Sequence, residues 1–409
     1  MRRALPALAL AVAVSAAADE PVAFTEIEVK RFLQHSPLPP PPVDETNAHA
    51  DDPRAAALGQ ALFFEPRLSK DGTISCATCH RPDQSFTDGR ALSKGVADGR
   101  RHTPSLWNVA YNRWLFWDGR ADSLWSQALH PIEDPVEMAG SRDAVLAAVR
   151  GDARLRDAYE AVFGPLPPRG ASRPEVSRAF ANLGKAIEAY ERRLLSRRAP
   201  FDVFVEGYRE NDPAKQAALS PAAGRGLKLF LGRGNCRTCH TGPTFSDGEF
   251  HAIELPPTGG VPDPGRLEGI ERVVKDEFGA GGAYSDRTDG PRAENVRYLS
   301  RTAPQARGQF KTPTLRNVAR TAPYMHDGRL ATLPDVLAHY SRLENRPPAG
   351  PHQESILAPL SLSPGETADL LAFLEALTDT SLDAALVLPP APAGPNPSSR
   401  ASRTTGLRR

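Results

Sequence analysis

The four cysteines of this 409-residue sequence form two pairs, and a histidine directly follows each pair. Both copies have the pattern Cys-x-x-Cys-His, and their residues are Cys76, Cys79 and His80 in the first and Cys236, Cys239 and His240 in the second. Two thiols one helical turn apart can add across the two vinyl groups of a haem, and the adjacent histidine can then bind the iron as its proximal ligand. The pattern predicts two covalently attached c-type haems.

Two other kinds of site use cysteines at this spacing. Thiolates in Cys-x-x-Cys pairs bind zinc, but a zinc site does not require a histidine directly after each pair. A disulfide within the pair is typical of a thioredoxin-like context, in which a strand precedes the motif, and no strand is predicted before either pair. Zinc binding and disulfide formation therefore stand as the alternatives to haem attachment.

An internal repeat surrounds the two cysteine pairs. A Phe-x-Asp-Gly sequence follows each histidine, beginning at Phe86 and at Phe245. Residues 103–110 and 312–319 share the pattern Thr-Pro-x-Leu-x-Asn-Val-Ala, and an Asp-Gly-Arg sequence follows both at the same distance. A repeat of this kind indicates related structural units. It predicts two related domains, each with one cysteine pair.

The elements that must position these motifs are mostly helices. Short amphipathic helices are predicted over 56–64 and 222–231, one before each cysteine pair, and a longer helix over 178–195. Ser363 and Pro364 can cap and begin another helix. Since no run shows sustained strand alternation, and since 40 prolines and 32 glycines favour loops, the predicted class is mainly α with long loops.

Composition and length limit the kinds of protein this can be. The chain is long enough for two domains with hydrophobic cores. Lys and Arg number 50 against 49 Asp and Glu, so the net charge of +1 gives no reason to expect a nucleic acid partner. No segment after the N-terminus approaches the ~20 apolar residues of a spanning helix, so no membrane span is predicted.

The N-terminus has the pattern of a secretory signal. Arg2 and Arg3 precede a short apolar stretch over 5–14 and a small-residue run over 16–18. A signal peptide is predicted over 1–18, with an uncleaved anchor as the alternative. It is followed by an extended proline-rich segment over 19–45, domains over 46–205 and 206–385, and a disordered tail over 386–409. The predicted location is the periplasm.

The order of the motifs resembles that of bacterial dihaem cytochrome c peroxidases, and among them it is most similar to the MauG-type enzymes. The motifs that carry the resemblance, besides the two Cys-x-x-Cys-His sequences, are residues 86–89 (Phe-Thr-Asp-Gly), 103–108 (Thr-Pro-Ser-Leu-Trp-Asn), 116–121 (Phe-Trp-Asp-Gly-Arg-Ala), 137–138 (Glu-Met), 312–317 (Thr-Pro-Thr-Leu-Arg-Asn) and 323–328 (Pro-Tyr-Met-His-Asp-Gly). The resemblance covers about residues 45–380. It implies two cytochrome c-like domains with one haem each.

The resemblance also implies separate roles for the two haems. Haem 1, on His80, would be the high-spin haem that reacts with hydrogen peroxide, and haem 2, on His240, its low-spin partner. Trp117 would mediate electron flow between them. Its alternative is plain core packing.

The distal side of haem 1 follows from the same resemblance. Glu137 would be the distal acid–base group, with Gln127 and Pro131 in the same distal pocket. Peroxide cleavage needs a group that moves a proton from one oxygen to the other, and a carboxylate can do so. The alternative for Glu137 is a solvated surface acid.

The second ligand of haem 2 distinguishes the subfamilies. Classical members carry a methionine twelve residues beyond the glycine at the position of Gly328, and Tyr340 stands there in this chain. MauG-type enzymes have a tyrosinate at this position, and an anionic phenolate favours ferric and higher-valent iron. Met325 and His339 are the competing ligands, and an ordinary helix-face aromatic is the alternative role for Tyr340.

Two further positions depart from the classical pattern. Lys94 stands where classical members hold a distal histidine over haem 1, which implies that haem 1 is open without reductive activation. His102 is close enough in sequence to reach a haem edge.

The family also binds calcium between the domains through an asparagine and two backbone carbonyls. Thr321 and Pro323 match the carbonyl positions, but His102 replaces the asparagine, and imidazole is a poor calcium ligand.

The resulting hypothesis is a periplasmic dihaem oxidoreductase that uses hydrogen peroxide. A small redox protein, a cytochrome c or a cupredoxin, would supply electrons if the enzyme removes peroxide. In the MauG-type alternative, the electrons come from a partner protein whose tryptophan is oxidatively modified. A non-catalytic dihaem electron-transfer cytochrome is the alternative from another class.

Overall fold

The computed structural model describes residues 20–253, 255–257, 260–300, 304–344, 357–381 and 383–390. The signal peptide predicted over 1–18 and most of the predicted tail lie outside these residues. Among the described helices, none combines the length and apolar character needed to cross a membrane.

Helices connected by long loops are the main regular structure of the described chain, and the predicted mainly α class is confirmed. The helices are α1 (Glu26–Phe32), α2 (Pro53–Phe63), α3 (Cys76–Cys79), α4 (Leu124–Glu133), α5 (Arg142–Gly151), α6 (Ala153–Phe163), α7 (Arg173–Glu191), α8 (Pro200–Glu210), α9 (Pro213–Gln216), α10 (Pro221–Leu231), α11 (Arg266–Lys275), α12 (Pro291–Arg297), α13 (Leu333–Arg342) and α14 (Pro364–Glu375). Two short strands, β1 (Phe250–His251) and β2 (Phe310–Lys311), pair antiparallel.

Capping explains where the helices begin. The helices predicted from residues 56, 178 and 222 begin three, five and one residues earlier, respectively. Asp52 and Ser220 accept backbone hydrogen bonds at the starts of α2 and α10, and each is followed by a proline. Ser363 caps α14 as predicted. A capping side chain followed by proline favours a helix start, because proline has no N–H to leave unsatisfied.

Each cysteine pair lies at the edge of an aromatic cluster. Cys76 packs against the cluster that contains Phe63, Phe86 and Trp107. Cys236 packs against a second cluster, which contains Phe230 among residues of α1, α8, α10, α13 and α14. A larger apolar core, formed by α2 and α4–α7, supports the first of these clusters.

Gly59 and Gly226 lie at matching positions of the repeat, each four residues before a phenylalanine, and both allow two helices to pack closely. A Cβ atom on Gly59 would lie 1.8 Å from the carbonyl oxygen of Ala186, so α2 crosses α7 in direct backbone contact. A Cβ on Gly226 would lie 2.0 Å from the carbonyl oxygen of Asp369, where α10 crosses α14. In each half, the helix before the cysteine pair is therefore held against the last helix by a position that tolerates only glycine.

The two asparagines of the repeat also have matching contacts. Asn108 and Asn317 both adopt a left-handed backbone with φ of 61°. The side-chain oxygen of Asn108 accepts a hydrogen bond from the Ser196 amide, and that of Asn317 accepts one from the Asp379 amide, each at 2.9 Å. Both hydrogen bonds tie the repeated loop to the segment just after the last helix of its half.

The proline-rich segment is not wholly extended, contrary to the prediction for residues 19–45. It contains α1, whose Thr25 and Glu28 form a reciprocal capping box. Phe32 is fully buried and contacts Phe204 and Tyr208 of α8, at ring-centroid distances of 5.2 and 4.9 Å. Burial of this aromatic side chain outweighs the loop preference of the neighbouring prolines.

Packing also differs from prediction at the boundary between the two predicted domains and at the start of the predicted tail. Phe201 of α8 belongs to the second cluster although it precedes the predicted boundary at 205/206. The first residues of the predicted tail contact the N-terminal half, since the Tyr190 hydroxyl donates to the Leu386 carbonyl at 2.6 Å. Gln60 donates to the carbonyl of Leu388. These hydrogen bonds hold the described part of a segment that composition alone predicts to be disordered.

Candidate active site

A cavity of about 280 Å³ lies beside the first cysteine pair and is lined by His80 and Cys79. Every residue to which the resemblance gave a catalytic or electron-transfer role also lines it: Trp117, Gln127, Pro131 and Glu137. These side chains come from separate stretches of the chain, and the structure brings them together.

The two proximal histidines have the same hydrogen bond. Nδ1 of His80 lies 3.1 Å from the Phe86 carbonyl oxygen, and Nδ1 of His240 lies 2.9 Å from that of Phe245. A carbonyl can only accept, so Nδ1 carries the proton and the lone pair of Nε2 is available for a metal. Burial lowers the pKa of both imidazoles, which favours the neutral form that binds iron.

The cysteines fit covalent haem attachment better than either alternative. All four are free of disulfides, and α3 places the first two thiols one turn apart. Among the described residues, the cluster suited to a metal ion joins Cys239 with Asp247 and His251, and it lacks the second thiol of the pair that a zinc site would use. With a neutral histidine behind each pair, the residues present fit a covalently bound haem on each.

Helix α4 positions one side of the cavity. Ser123 caps the helix, and Gln127 and Pro131 follow at a spacing of four residues on the same face. The amide of Met138 donates to the Pro131 carbonyl at 3.1 Å, which turns the chain back and places Glu137 in the cavity wall.

Glu137 is a partly shielded acid. About a third (34%) of its side chain is exposed, and Oε1 lies 3.6 Å from Nη2 of Arg120. Burial raises the pKa of the carboxyl, and the Arg120 guanidinium opposes that shift. A group that shuttles a proton between two oxygens must both accept and return it, and a raised pKa makes this carboxyl a stronger proton acceptor than an ordinary glutamate.

A tight loop over residues 93–99 holds the backbone of Glu137. The amide of Val96 donates to the Glu137 carbonyl at 2.8 Å, and Ala97 donates to Val136 at 3.0 Å. Lys94, at the classical distal-histidine position, is about half exposed and pairs with Asp98 at 2.9 Å. The loop therefore supports the acid from behind, and Lys94 forms an ion pair at the surface.

Gly95 is the point of closest approach between this loop and Glu137. A Cβ atom there would lie 2.4 Å from the Glu137 carbonyl oxygen and 2.6 Å from its Cα. Gly95→Ala is expected to displace Glu137 and to slow the reaction with peroxide by about tenfold or more. Stopped-flow spectroscopy would measure the rate. Gly151→Ala, where a Cβ meets nothing within 4 Å, is the control; equal rates in both variants would contradict a positioning role for the loop.

Trp117 links the two halves of the molecule. Its Nε1 donates to the His102 carbonyl at 2.8 Å, and its own carbonyl accepts from the Lys311 amide at 2.8 Å. Lys311 ends β2, two residues before Pro313, whose carbonyl faces the His240 imidazole. The tryptophan thus lines the cavity at His80 and is hydrogen-bonded to the segment that leads to His240.

Tyr340 lies on α13 close to the second cysteine pair. Burial raises the pKa of its phenol, and the nearby thiols of Cys236 and Cys239 raise it further. His339 is adjacent, with its ring centroid 5.1 Å from that of Tyr340, and its Nε2 is buried without a hydrogen-bond partner among the described residues. Tyr340 therefore lies near the second cysteine pair and beside His339.

The predicted calcium position does not fit a calcium ion. Nδ1 of His102 lies 2.7 Å from the Arg90 carbonyl oxygen and donates to it, and the Thr321 carbonyl lies near the same ring. The side chain that replaces the expected asparagine therefore stands beside Thr321, one of the two carbonyl positions of the family pattern, the other being Pro323. An imidazole here supplies a hydrogen-bond donor where calcium would need oxygen ligands.

Removal of calcium is accordingly expected to leave the melting temperature (Tm) unchanged. His102→Asn would replace the imidazole beside the Thr321 carbonyl with an amide oxygen, so added calcium should raise the Tm of that variant alone. Differential scanning calorimetry with EDTA and with excess calcium would measure both effects. A fall in the Tm of the unsubstituted protein on EDTA treatment would show that calcium binds after all.

Sequence reasoning missed several charged residues of the cavity, among them Arg120 and Lys311. Burial lowers the pKa of Lys311 to about 8. Arg120 ends the Asp-Gly-Arg motif that occurs in both repeats, but the motif does not reveal which of the two arginines faces a cavity.

Comparisons with known proteins give the family of the chain. A family model described as di-haem cytochrome c peroxidase matches residues 53–210. Cytochrome-c peroxidase IdrP1 of Denitromonas iodatirespirans is 35% identical over 387 residues, which cover 93% of this chain and 93% of that protein. The methylamine utilization protein MauG of Methylorubrum extorquens is 34% identical, with 86% of each chain covered.

Two solved structures share the fold. A MauG-like protein associated with microbial copper homeostasis is 30% identical with a TM-score of 0.66, over 86% of this chain and 97% of that one. The diheme peroxidase BthA from Burkholderia thailandensis is 27% identical with a TM-score of 0.62, over 88% and 92%. The chain belongs to the di-haem cytochrome c peroxidase family, which implies two haem cofactors, and it is a peroxidase-type oxidoreductase.

Proposed function

We propose that the chain is a periplasmic dihaem enzyme in which hydrogen peroxide reacts at an open, high-spin haem held by Cys76, Cys79 and His80. The observation that carries the proposal is the convergence of Glu137, Gln127, Pro131 and Trp117 on the cavity beside His80. His102 also lines this cavity, and the hydrogen bond from its Nδ1 to the Arg90 carbonyl holds its ring in place.

The haem at His80 would supply the iron centre at which peroxide is reduced. Glu137 takes a proton from one peroxide oxygen and returns it to the other, and its raised pKa favours the first of these transfers. Gln127 offers an amide that can orient the peroxide. Pro131 has no N–H, and its ring fills the wall beside Gln127.

The second haem would be held by Cys236, Cys239 and His240, with Tyr340 as its sixth ligand. Trp117 carries electrons between the halves, because its ring lines one haem site and its backbone is bonded to the segment leading to the other. An anionic phenolate stabilises oxidised iron, so this haem would share the oxidising equivalents.

Tyr340 also favours a second candidate function over plain peroxide removal. A site that stores oxidising equivalents can draw electrons from a side chain of a partner protein, as in a MauG-type modification of tryptophan. In the peroxidase function, a small cytochrome c or cupredoxin would be the electron donor. The relatives carry both names, MauG and cytochrome-c peroxidase.

One set of measurements on the exported ferric protein tests the proposal. Electron paramagnetic resonance should give one high-spin and one low-spin haem, and stopped-flow mixing should show rapid reaction with peroxide. Two low-spin haems and no reaction would support an electron-transfer cytochrome instead. Turnover with reduced cytochrome c or cupredoxin, set against mass changes in candidate partner proteins, would separate the two catalytic functions.

Export and processing are part of the same proposal. A signal peptide over 1–18 would carry the chain to the periplasm, where thiols can be joined to haem. Mass spectrometry of the purified protein should give a chain that begins near residue 19 and carries two haem masses.

A further inference from the structure

The Asp-Gly-Arg motif has the same backbone in both halves. It lies in a turn closed by a bridge between Leu115 and Ala121 in the first half and between Tyr324 and Leu330 in the second. The glycines of the two turns have φ of 68° and 62°. A difference between the two arginines therefore arises from their surroundings and not from the turn.

The second arginine is satisfied by its own motif. Nε of Arg329 donates to both carboxylate oxygens of Asp327, at 3.0 and 2.8 Å, and its Nη2 also bonds Asp327. Its Nη1 donates to the Pro256 carbonyl at 2.7 Å. All three nitrogens of this guanidinium are used in structural contacts.

The first arginine is not satisfied in this way. Asp118 is fully buried and is paired with Arg101 at 2.5 Å, which leaves Arg120 with contacts of 3.3 and 3.5 Å to that carboxylate through Nη1. Nε of Arg120 is buried without a hydrogen-bond partner among the described residues. The guanidinium lies over the Phe116 ring, 3.5 Å from its centroid.

The remaining contact of this guanidinium leads to the acid of the cavity. Nη2 of Arg120 lies 3.6 Å from Oε1 of Glu137, and both side chains line the cavity beside His80. Only 12% of the Arg120 side chain is exposed. A shielded cation with an unused donor is costly unless a ligand satisfies it, and an oxygen anion is the ligand that guanidinium binds best.

We propose that Arg120 is a further catalytic residue of this site, one that binds the anionic form of the peroxide. The proton of one peroxide oxygen passes to the Glu137 carboxylate, and the resulting hydroperoxide anion is held by the Arg120 guanidinium. Charge is conserved and no electrons move in this step. The inference rests on the proposed function, because it requires that peroxide enters this cavity.

Arg120 should also influence the acid itself. Other ionisable groups that act on Glu137 are Arg272 of α11, His130 of α4 and Asp134. Arg120 is the largest opposing influence on the raised pKa of Glu137, so loss of its charge should raise that pKa further.

The test compares Arg120→Gln and Arg120→Lys with Arg329→Gln, the matched position of the other repeat. Fluoride, a small anion that accepts hydrogen bonds, serves as the probe, and its dissociation constant is measured by absorbance titration of the ferric holoprotein. Arg120→Gln is expected to weaken fluoride binding about tenfold or more, Arg120→Lys less, and Arg329→Gln less than about twofold. The pH profile of the peroxide reaction should move to higher pH in Arg120→Gln alone.

The outcomes separate this inference from the proposed function. If the unsubstituted protein binds fluoride and reacts with peroxide while Arg120→Gln does so equally well, Arg120 has no role and the function stands. If the unsubstituted protein neither binds fluoride nor reacts with peroxide, both are wrong. If Arg120→Gln loses haem or fails to fold, Arg120→Lys decides: native fluoride affinity with a lysine would show that positive charge suffices and that no guanidinium contact exists.

Discussion

Replacement of Glu137 by glutamine is expected to slow the reaction with hydrogen peroxide by about 10²–10⁴-fold, the range attributed to a positioned acid–base group. The amide keeps the size and polarity of the side chain but cannot take a proton. Because the loop over 93–99 holds the backbone of this residue, both haems should remain attached and the Tm should change little. Stopped-flow absorbance would give the rate, and pyridine haemochrome analysis the haem content.

The pH dependence of this reaction has a definite sign. Burial raises the pKa of Glu137, so the carboxylate that accepts the peroxide proton is lost as the pH falls through a value above the ordinary one for glutamate. The rate should fall on that acidic side, and this limb should be absent in Glu137→Gln. Glu210→Gln, which alters a half-exposed acid paired with Lys215, is the control. Unchanged kinetics in Glu137→Gln would show that Glu137 is a surface acid with no part in the reaction.

Tyr340→Phe is expected to abolish the low-spin signal assigned to the second haem, because it removes the oxygen that would bind the iron. Tyr340→Met should restore a low-spin haem at a higher reduction potential. The rise should be roughly 0.2 V or more, within the ~0.8 V range that axial ligands span in haem proteins. Electron paramagnetic resonance and a spectroscopic redox titration would measure these changes.

A second tyrosine provides the control for this pair of variants. Tyr159 is buried in the apolar core formed by α2 and α4–α7, in the half that does not contain the second cysteine pair. Its hydroxyl accepts a hydrogen bond from the Asn182 side chain. Tyr159→Phe should leave both haem signals intact. If the low-spin signal persists in Tyr340→Phe, the ligand is another side chain, and His339→Ala and Met325→Leu would identify it.

The nature of this ligand bears on which of the two catalytic functions the enzyme performs. A tyrosinate favours the oxidised states needed to draw electrons from a protein side chain, whereas a methionine favours a haem that is charged by a reduced cytochrome. The Tyr340→Met variant therefore tests whether this one side chain determines which function the enzyme performs. Peroxidase activity with reduced cytochrome c, measured in the unsubstituted protein and in the variant, would show the difference.

Local sequence patterns were sufficient for the parts of the molecule that depend on near neighbours. The pattern Cys-x-x-Cys-His predicts haem attachment because two thiols and an imidazole lie within five residues of one another. The cap at Ser363 was predictable for the same reason, since a helix start is a contact over three residues. The repeat exposed Gly59 and Gly226 as equivalent, although only the crossings with α7 and α14 explain why glycine is needed.

Contacts between distant segments could not be read from the chain. Helix α1 follows the predicted signal peptide but packs in the second aromatic cluster, because Phe32 finds its partners on α8. A proline-rich composition indicates only the backbone preference of that segment. It does not reveal a distant partner, such as Asp202, which accepts a hydrogen bond from Ser36 across 166 residues of sequence. Likewise, His102 joins both halves of the chain, since its ring donates to the Arg90 carbonyl and its backbone amide donates to the His326 carbonyl.

Sequence alone thus predicted the chemistry of this protein from two Cys-x-x-Cys-His motifs, and it also predicted a mainly helical class and a repeat that relates the two motifs. These are properties of short spacings, and they hold wherever the segments lie. The tertiary structure was needed to gather Trp117, Gln127 and Glu137 on one side of His80, and to make the two arginines of one motif differ. Arg329 is paired with the aspartate of its own motif. In the first half, Arg101 makes the shorter contact with the matching aspartate, and Arg120 also lies near Glu137. Competition for a buried partner depends on which side chains packing brings within reach, and no local pattern encodes it.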